Sequence, residues 1–120
     1  RIDHGNNCLT DDKLVEEIVK RNMALTVCPL SNLELRVVTD LKDHPLKTML
    51  SKGIKATVNS DDPAYFGGYL NQNFMAIQEA LQLTKEEIIV LAKNSFQYSL
   101  LDENRKTELL NLVDEYATNN

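Results

Sequence analysis

Apolar positions along this chain recur with two different periods. Two runs are nearly continuous in apolar residues, Ala24-Leu25-Thr26-Val27-Cys28 and Ile54-Lys55-Ala56-Thr57-Val58. Runs of this kind predict strands buried on both faces, as in parallel sheets. Arg1 to His4 reads as the end of a third strand, stopped by Gly5-Asn6-Asn7, and Pro29 stops the second. Elsewhere the spacing is helical. Leu14, Val15, Ile18 and Val19 form one stripe, in a helix expected to start from Thr10 as N-cap with Asp11 and Asp12 in its first turn. Leu46, Met49 and Leu50 give a short helix that begins at Pro45 and ends at Gly53. Between them, Leu30 to Asp43 is the longest irregular stretch, with a short extended or helical piece suggested by Leu33, Leu35, Val37 and Val38.

Three helices are predicted after the third strand. One runs from about Tyr69 to Leu81 with Phe74, Ile77 and Leu81 on one side. The next opens with Thr84 and Glu87 spaced as a capping box and Leu83 and Ile88 spaced as a hydrophobic staple. The last starts at Asp102 and carries Leu109, Leu110, Val113 and Tyr116. Strands alternating with helices mean βαβ units and a parallel sheet. Two α/β architectures fit, a small open sheet or one side of a (β/α)8 barrel. In both, function gathers at the carboxyl ends of the strands.

Composition narrows the partners. Of 120 residues 42% are hydrophobic, and the net charge of −5 comes from interleaved acidic and basic residues with no basic stripe, which argues against nucleic acid as the main partner. No apolar run approaches the ~18 residues of a membrane span. Cys8 and Cys28 are too few for a disulfide framework and suit free thiols in a reducing cytoplasm, with Cys28 expected as a small core residue. The aromatic cluster Tyr65, Phe66 and Tyr69 is expected to plug the core rather than to stack on a ligand. The opening on half a strand, without Met, predicts a piece of a longer protein.

The strand-end rule then picks out candidate chemistry. His4 lies at the end of the first strand, Pro29-Leu30-Ser31-Asn32 at the end of the second, and Asp61-Asp62-Pro63 at the end of the third. Locally, Asp-Asp-Pro is ordinary turn chemistry. Gathered on one side of a sheet, His and Asp suit a metal ion or proton transfer. His44, before Pro45, reads as a helix-flanking residue.

Arg1-Ile-Asp-His-Gly5, Thr26-Val-Cys-Pro-Leu-Ser-Asn32, His44-Pro-Leu46 and Val58-Asn-Ser-Asp-Asp-Pro-Ala-Tyr-Phe66 together resemble the adenosine/adenine deaminase family. With Phe66-Gly-Gly-Tyr69 they are most similar to its microbial adenine deaminase branch. The resemblance covers essentially the whole chain. It implies a (β/α)8 barrel with one zinc ion, in which a zinc-bound hydroxide attacks C6 of the purine and ammonia leaves, turning adenine into hypoxanthine. Carried over, Asp61 is the zinc ligand from the last barrel strand, Asp62 hydrogen-bonds the purine ring, and His4 is the catalytic histidine beside the hydroxide. Ser31 and Asn32 are expected at the pocket mouth without an assigned role.

The family pattern also requires a His-x-His pair, a further His and a nearby Glu, and none of these is present. Residues 1–120 therefore read as the C-terminal part of one deaminase barrel domain: about three βα units plus terminal helices. Alone, it is expected to be inactive, to hold no tight zinc, and to self-associate or pair with the rest of the barrel through its open sheet edges. The alternatives are an adenosine deaminase and, in another class, a non-catalytic α/β interaction module.

Overall fold

The computed structural model describes all 120 residues. Its centre is a three-stranded parallel sheet in the order β1-β2-β3, built from β1 (Ile2–Asp3), β2 (Ala24–Val27) and β3 (Lys55–Val58). The register aligns Asp3 with Thr26 and Thr26 with Thr57. The crossover from β1 carries α1 (Asp12–Lys20), and the crossover from β2 carries α2 (Pro29–Glu34) and α3 (Leu46–Ser51). After β3 come α4 (Pro63–Phe66), α5 (Leu70–Leu81), α6 (Lys85–Gln97) and α7 (Glu103–Asn119).

One face of the sheet builds the core. Leu25, Val27, Ala56 and Val58 are at most 2% exposed. They form one cluster with Val15 and Ile18 of α1, Leu46 and Met49 of α3, Ile77 of α5 and Leu91 of α6. Each fully buried aliphatic side chain of this kind stabilises the fold by roughly 1.5–3 kcal/mol. The other face is polar, which corrects the expectation of two apolar faces. The residues between the core positions are Asp3, Thr26 and Thr57, because side chains alternate along a strand. Thr57 is buried there and donates to Leu25 O at 3.2 Å. Ala24, Thr57 and Asn59 share a cavity with Ser95 and the Tyr98–Leu101 turn, so the end of α6 covers part of this face. At the outer edge, the buried Asn94 of α6 donates Nδ2 to Ala56 O at 2.8 Å.

Helix starts depart from expectation in instructive ways. Asp11, not Thr10, caps α1: its carboxylate accepts from Lys13 N and Leu14 N. Thr10 instead donates its hydroxyl to Asn7 O, inside a tight turn at Cys8–Thr10. The stretch expected to be irregular opens with α2, because Pro29 occupies the first helical turn, where a missing N–H costs nothing. The Thr84–Glu87 capping box forms as predicted, and Leu83 is buried with Ile88 packed against the core. Tyr65 and Tyr69 do not plug the core: they are 77% and 68% exposed.

Candidate active site at the strand ends

The backbone turns sharply at the ends of β1 and β3. Five residues other than glycine have positive φ. Three of them, Asn22, Arg36 and Gln82, lie at or just beyond the ends of helices, where left-handed residues are common. The other two are His4 (φ 61°) and Asp61 (φ 58°), which follow strands. A residue with a Cβ in this region costs roughly 1–2 kcal/mol. Such strain persists only where surrounding contacts enforce it, and it concentrates at functional sites. Here the sheet enforces it on His4, whose N–H bonds Thr26 O at 3.1 Å beyond the last paired strand residue.

The reversal at Asp61 separates the two carboxylates. Asp62 turns outward and caps α4, its Oδ1 accepting from Ala64 N and Tyr65 N, both at 3.2 Å. Its Oδ2 takes no hydrogen bond within the chain. Asp61 turns toward β2 and accepts the Ser31 hydroxyl on Oδ2 at 2.7 Å. His4 Nε2 lies 4.0 Å from the same oxygen. Ser31 itself is fully buried, on a helix whose first turn is tied down by α5: Asn73 Oδ1 accepts from Leu30 N, and its Nδ2 donates to Gly68 O and Tyr69 O. Gly68 is required at this junction, since φ is +87° and a Cβ would come within 2.3 Å of the Leu30 side chain.

Cys28 completes the cluster, and sequence reasoning missed it. The Sγ of Cys28, a ring nitrogen of His4 and a carboxylate oxygen of Asp61 all lie within 4.8 Å of one another. The thiol donates to Thr26 O at 3.6 Å. Burial, then the neighbouring negative charge of Asp61, pushes its pKa up to about 11, so it is a protonated thiol at neutral pH. The signal was present: Cys28 is two residues beyond Thr26 and shares its face. The pocket above the three donors is about 490 Å³ and is also lined by Arg1, Asp3, Asn59 and Ser60. Imidazole, carboxylate and sulfur around an open pocket suit a borderline ion such as zinc.

A family model described as adenosine deaminase matches residues 1–116. The chain belongs to the adenosine deaminase family. Within it, the chain is 54% identical to an adenine deaminase of Sphingopyxis alaskensis over 98% of its own length and 34% of that protein. It is 55% identical to one of Caulobacter vibrioides, again over 98% of its length and 34% of the relative. The crystal structure of adenine deaminase from Arthrobacter aurescens superposes with a TM-score of 0.96 at 47% identity, covering 98% of this chain and 36% of that one. A more distant amidohydrolase of Burkholderia ambifaria, crystallised with bound Zn, shares the fold at a TM-score of 0.83 and 18% identity, over 100% of this chain and 36% of that one. The chain thus spans about a third of the length of the family members it matches, and its fold is that of the corresponding part of a deaminase barrel.

Proposed function

We propose that the polypeptide containing residues 1–120 is a zinc-dependent adenine deaminase of purine salvage in the cytoplasm, converting adenine and water into hypoxanthine and ammonia. In this reading the 120 residues are the C-terminal part of a single barrel domain and are inactive alone. What carries it is the gathering of His4 and Asp61 from the ends of β1 and β3, across the end of β2, in a chain that is 54% identical to a protein named adenine deaminase. That name, shared by the Caulobacter relative, favours adenine over adenosine as substrate.

Asp61 would hold the metal. The Ser31 hydroxyl engages its Oδ2 and restricts the rotation of the carboxylate, so the ligand is oriented before the ion arrives. Zinc, when bound, supplies activation of the attacking water at neutral pH. His4 stands beside Asp61 with a half-exposed ring, able to hold or pass a proton at Nε2. Asp62, with Oδ1 committed to the helix cap, has Oδ2 left to accept a hydrogen bond from a ring N–H of the purine. The remaining metal ligands and the proton donor to the ring lie outside these 120 residues.

The test is turnover of adenine by the longer protein, followed by hypoxanthine formation. The expected result is activity that a chelator removes and that zinc restores. Asp61→Asn should lower the rate by at least ~10²–10³-fold, the scale of losing one preorganised charged group. A near-normal rate in Asp61→Asn overturns the assignment.

A further inference from the structure

The expectation that this chain holds no tight metal counted a single carboxylate, and the strand ends bring together two donors more. We propose that His4 Nε2, Cys28 Sγ and the Asp61 carboxylate form a cation site in their own right, one that takes a single soft divalent ion such as cadmium, or zinc in excess. The site shares Asp61 with the proposed catalytic metal but draws its other ligands from this chain alone.

Geometry comes first. Metal–ligand bonds of about 2.0–2.3 Å place tetrahedral donors roughly 3.3–3.8 Å apart. The three donor atoms lie within 4.8 Å of one another, and His4 Nε2 and Asp61 Oδ2 are 4.0 Å apart. Closing the remainder needs movements of about an ångström among the three side chains, and that of His4 is 43% exposed with room to shift. The other two donors are held: Cys28 is buried at the end of β2, and Asp61 is pinned by Ser31. The fourth position opens into the pocket lined by Asp3, Asn59 and Ser60, where water completes the shell. Apart from His4 itself, Arg1 is the one basic side chain lining this pocket, and it is turned to Asp3 at 3.3 Å.

Ligand type then sets selectivity. A thiolate beside an imidazole prefers zinc, cadmium and cobalt over magnesium and calcium, which take oxygen shells. The coordination balances simply: the divalent ion bonds the sulfur and the thiol proton leaves to solvent. The consequence for the longer protein is competition. An ion drawn onto Cys28 holds Asp61 and His4 away from their proposed roles.

The probe is cobalt(II) added to the 120-residue chain, read by absorption. The expected result is one equivalent of ion, intense visible bands of tetrahedral cobalt, and a sulfur-to-cobalt charge-transfer band in the near ultraviolet. Cys28→Ser should abolish that band and Cys8→Ser should keep it. His4→Gln and Asp61→Asn retain the thiol and should weaken binding by more than ~10-fold, beyond the lower limit for losing a mere outer-shell partner. Far-ultraviolet circular dichroism establishes that each variant is folded. Absence of the charge-transfer band in the folded wild-type chain, or its survival in Cys28→Ser, overturns the site. Neither result touches the deaminase reading, which stands or falls on turnover by the longer protein.

Discussion

The chain has two histidines, and they occupy opposite kinds of place. His44 sits at the junction of α2 and α3, 4% exposed, with both ring nitrogens engaged. Leu46 N–H donates to Nδ1 at 3.1 Å, which leaves the proton on Nε2, and Nε2 donates to Asn32 Oδ1 at 3.0 Å. The Asn32 carbonyl in turn accepts from Val37 N and Val38 N, fixing the loop that follows. Both ring nitrogens are satisfied, and the ring has no opening to a ligand. His4 is half-exposed, carries left-handed backbone strain, and faces a carboxylate and a thiol across an open pocket. The neighbours Ser31 and Asn32 divide between the two regions, Ser31 bonding Asp61 and Asn32 bonding His44. Saturated hydrogen bonds and relaxed backbone mark a region that holds the fold. Unsaturated donors and enforced strain mark the region to which the proposed chemistry is assigned.

The contrast can be broken first at the junction. His44→Ala empties a buried site, removes the partner of Leu46 N and leaves the Asn32 acceptor unpaired. We expect a loss of about 3–4 kcal/mol in urea unfolding, from a cavity and an unmet polar group together. A loss below ~1 kcal/mol would show that the junction carries no such role.

Acid probes the same ring. Burial lowers its pKa to about 4 from an ordinary 6.5. Between those values the unfolded chain binds more protons than the folded one, so stability rises with pH across that window. The contribution is complete above pH 6.5 and disappears as pH falls toward 4, a difference of about 3 kcal/mol. Stability profiles of wild type and His44→Gln should converge at the acid end of that window. Parallel profiles would contradict the buried neutral ring.

At the strand ends the effects on folding shrink and those on binding grow. Ser31→Ala should change unfolding free energy by no more than about 1 kcal/mol. In the longer protein it should weaken zinc affinity roughly 10–100-fold, measured by competition with a chromophoric chelator. The strain itself is the smallest effect: glycine at position 4 should be more stable than alanine there by about 1 kcal/mol, since only glycine adopts that φ freely. Equal stabilities would mean that the left-handed turn at His4 stores nothing.

Much of this was legible in the residues because local and global signals agreed. The continuous run Ala24–Val27 became a strand, and Thr84 with Glu87 became a helix start, since each pattern needs only its own neighbours. What escaped was set by tertiary context. Pro29 reads equally as a strand stop or a first helical turn, and only Asn73, 44 positions onward, ties down the helix that follows. Cys28 looked like core because its flanks are apolar, yet it is buried and pocket-lining at once. The Asp61-Asp62 pair stands out in the sequence, but the separate directions of its two carboxylates do not, because they depend on the positive φ at Asp61. His44 was read as a helix-flanking residue and does flank α3; its burial against Asn32 was invisible, because nothing near Pro45 announces that partner.

The two histidines also give the most direct measurement. His4→Gln and His44→Gln should be made side by side in the longer protein, with adenine turnover and melting temperature read on both. His4→Gln should cut turnover by ~10²–10⁴-fold, the range for a lost proton-transfer group, while melting stays within a few degrees of wild type. His44→Gln should lower the melting temperature and leave turnover per folded molecule unchanged. Near-normal turnover in His4→Gln, or the loss of activity falling on His44→Gln instead, would contradict the division between a pocket for chemistry and a junction for folding.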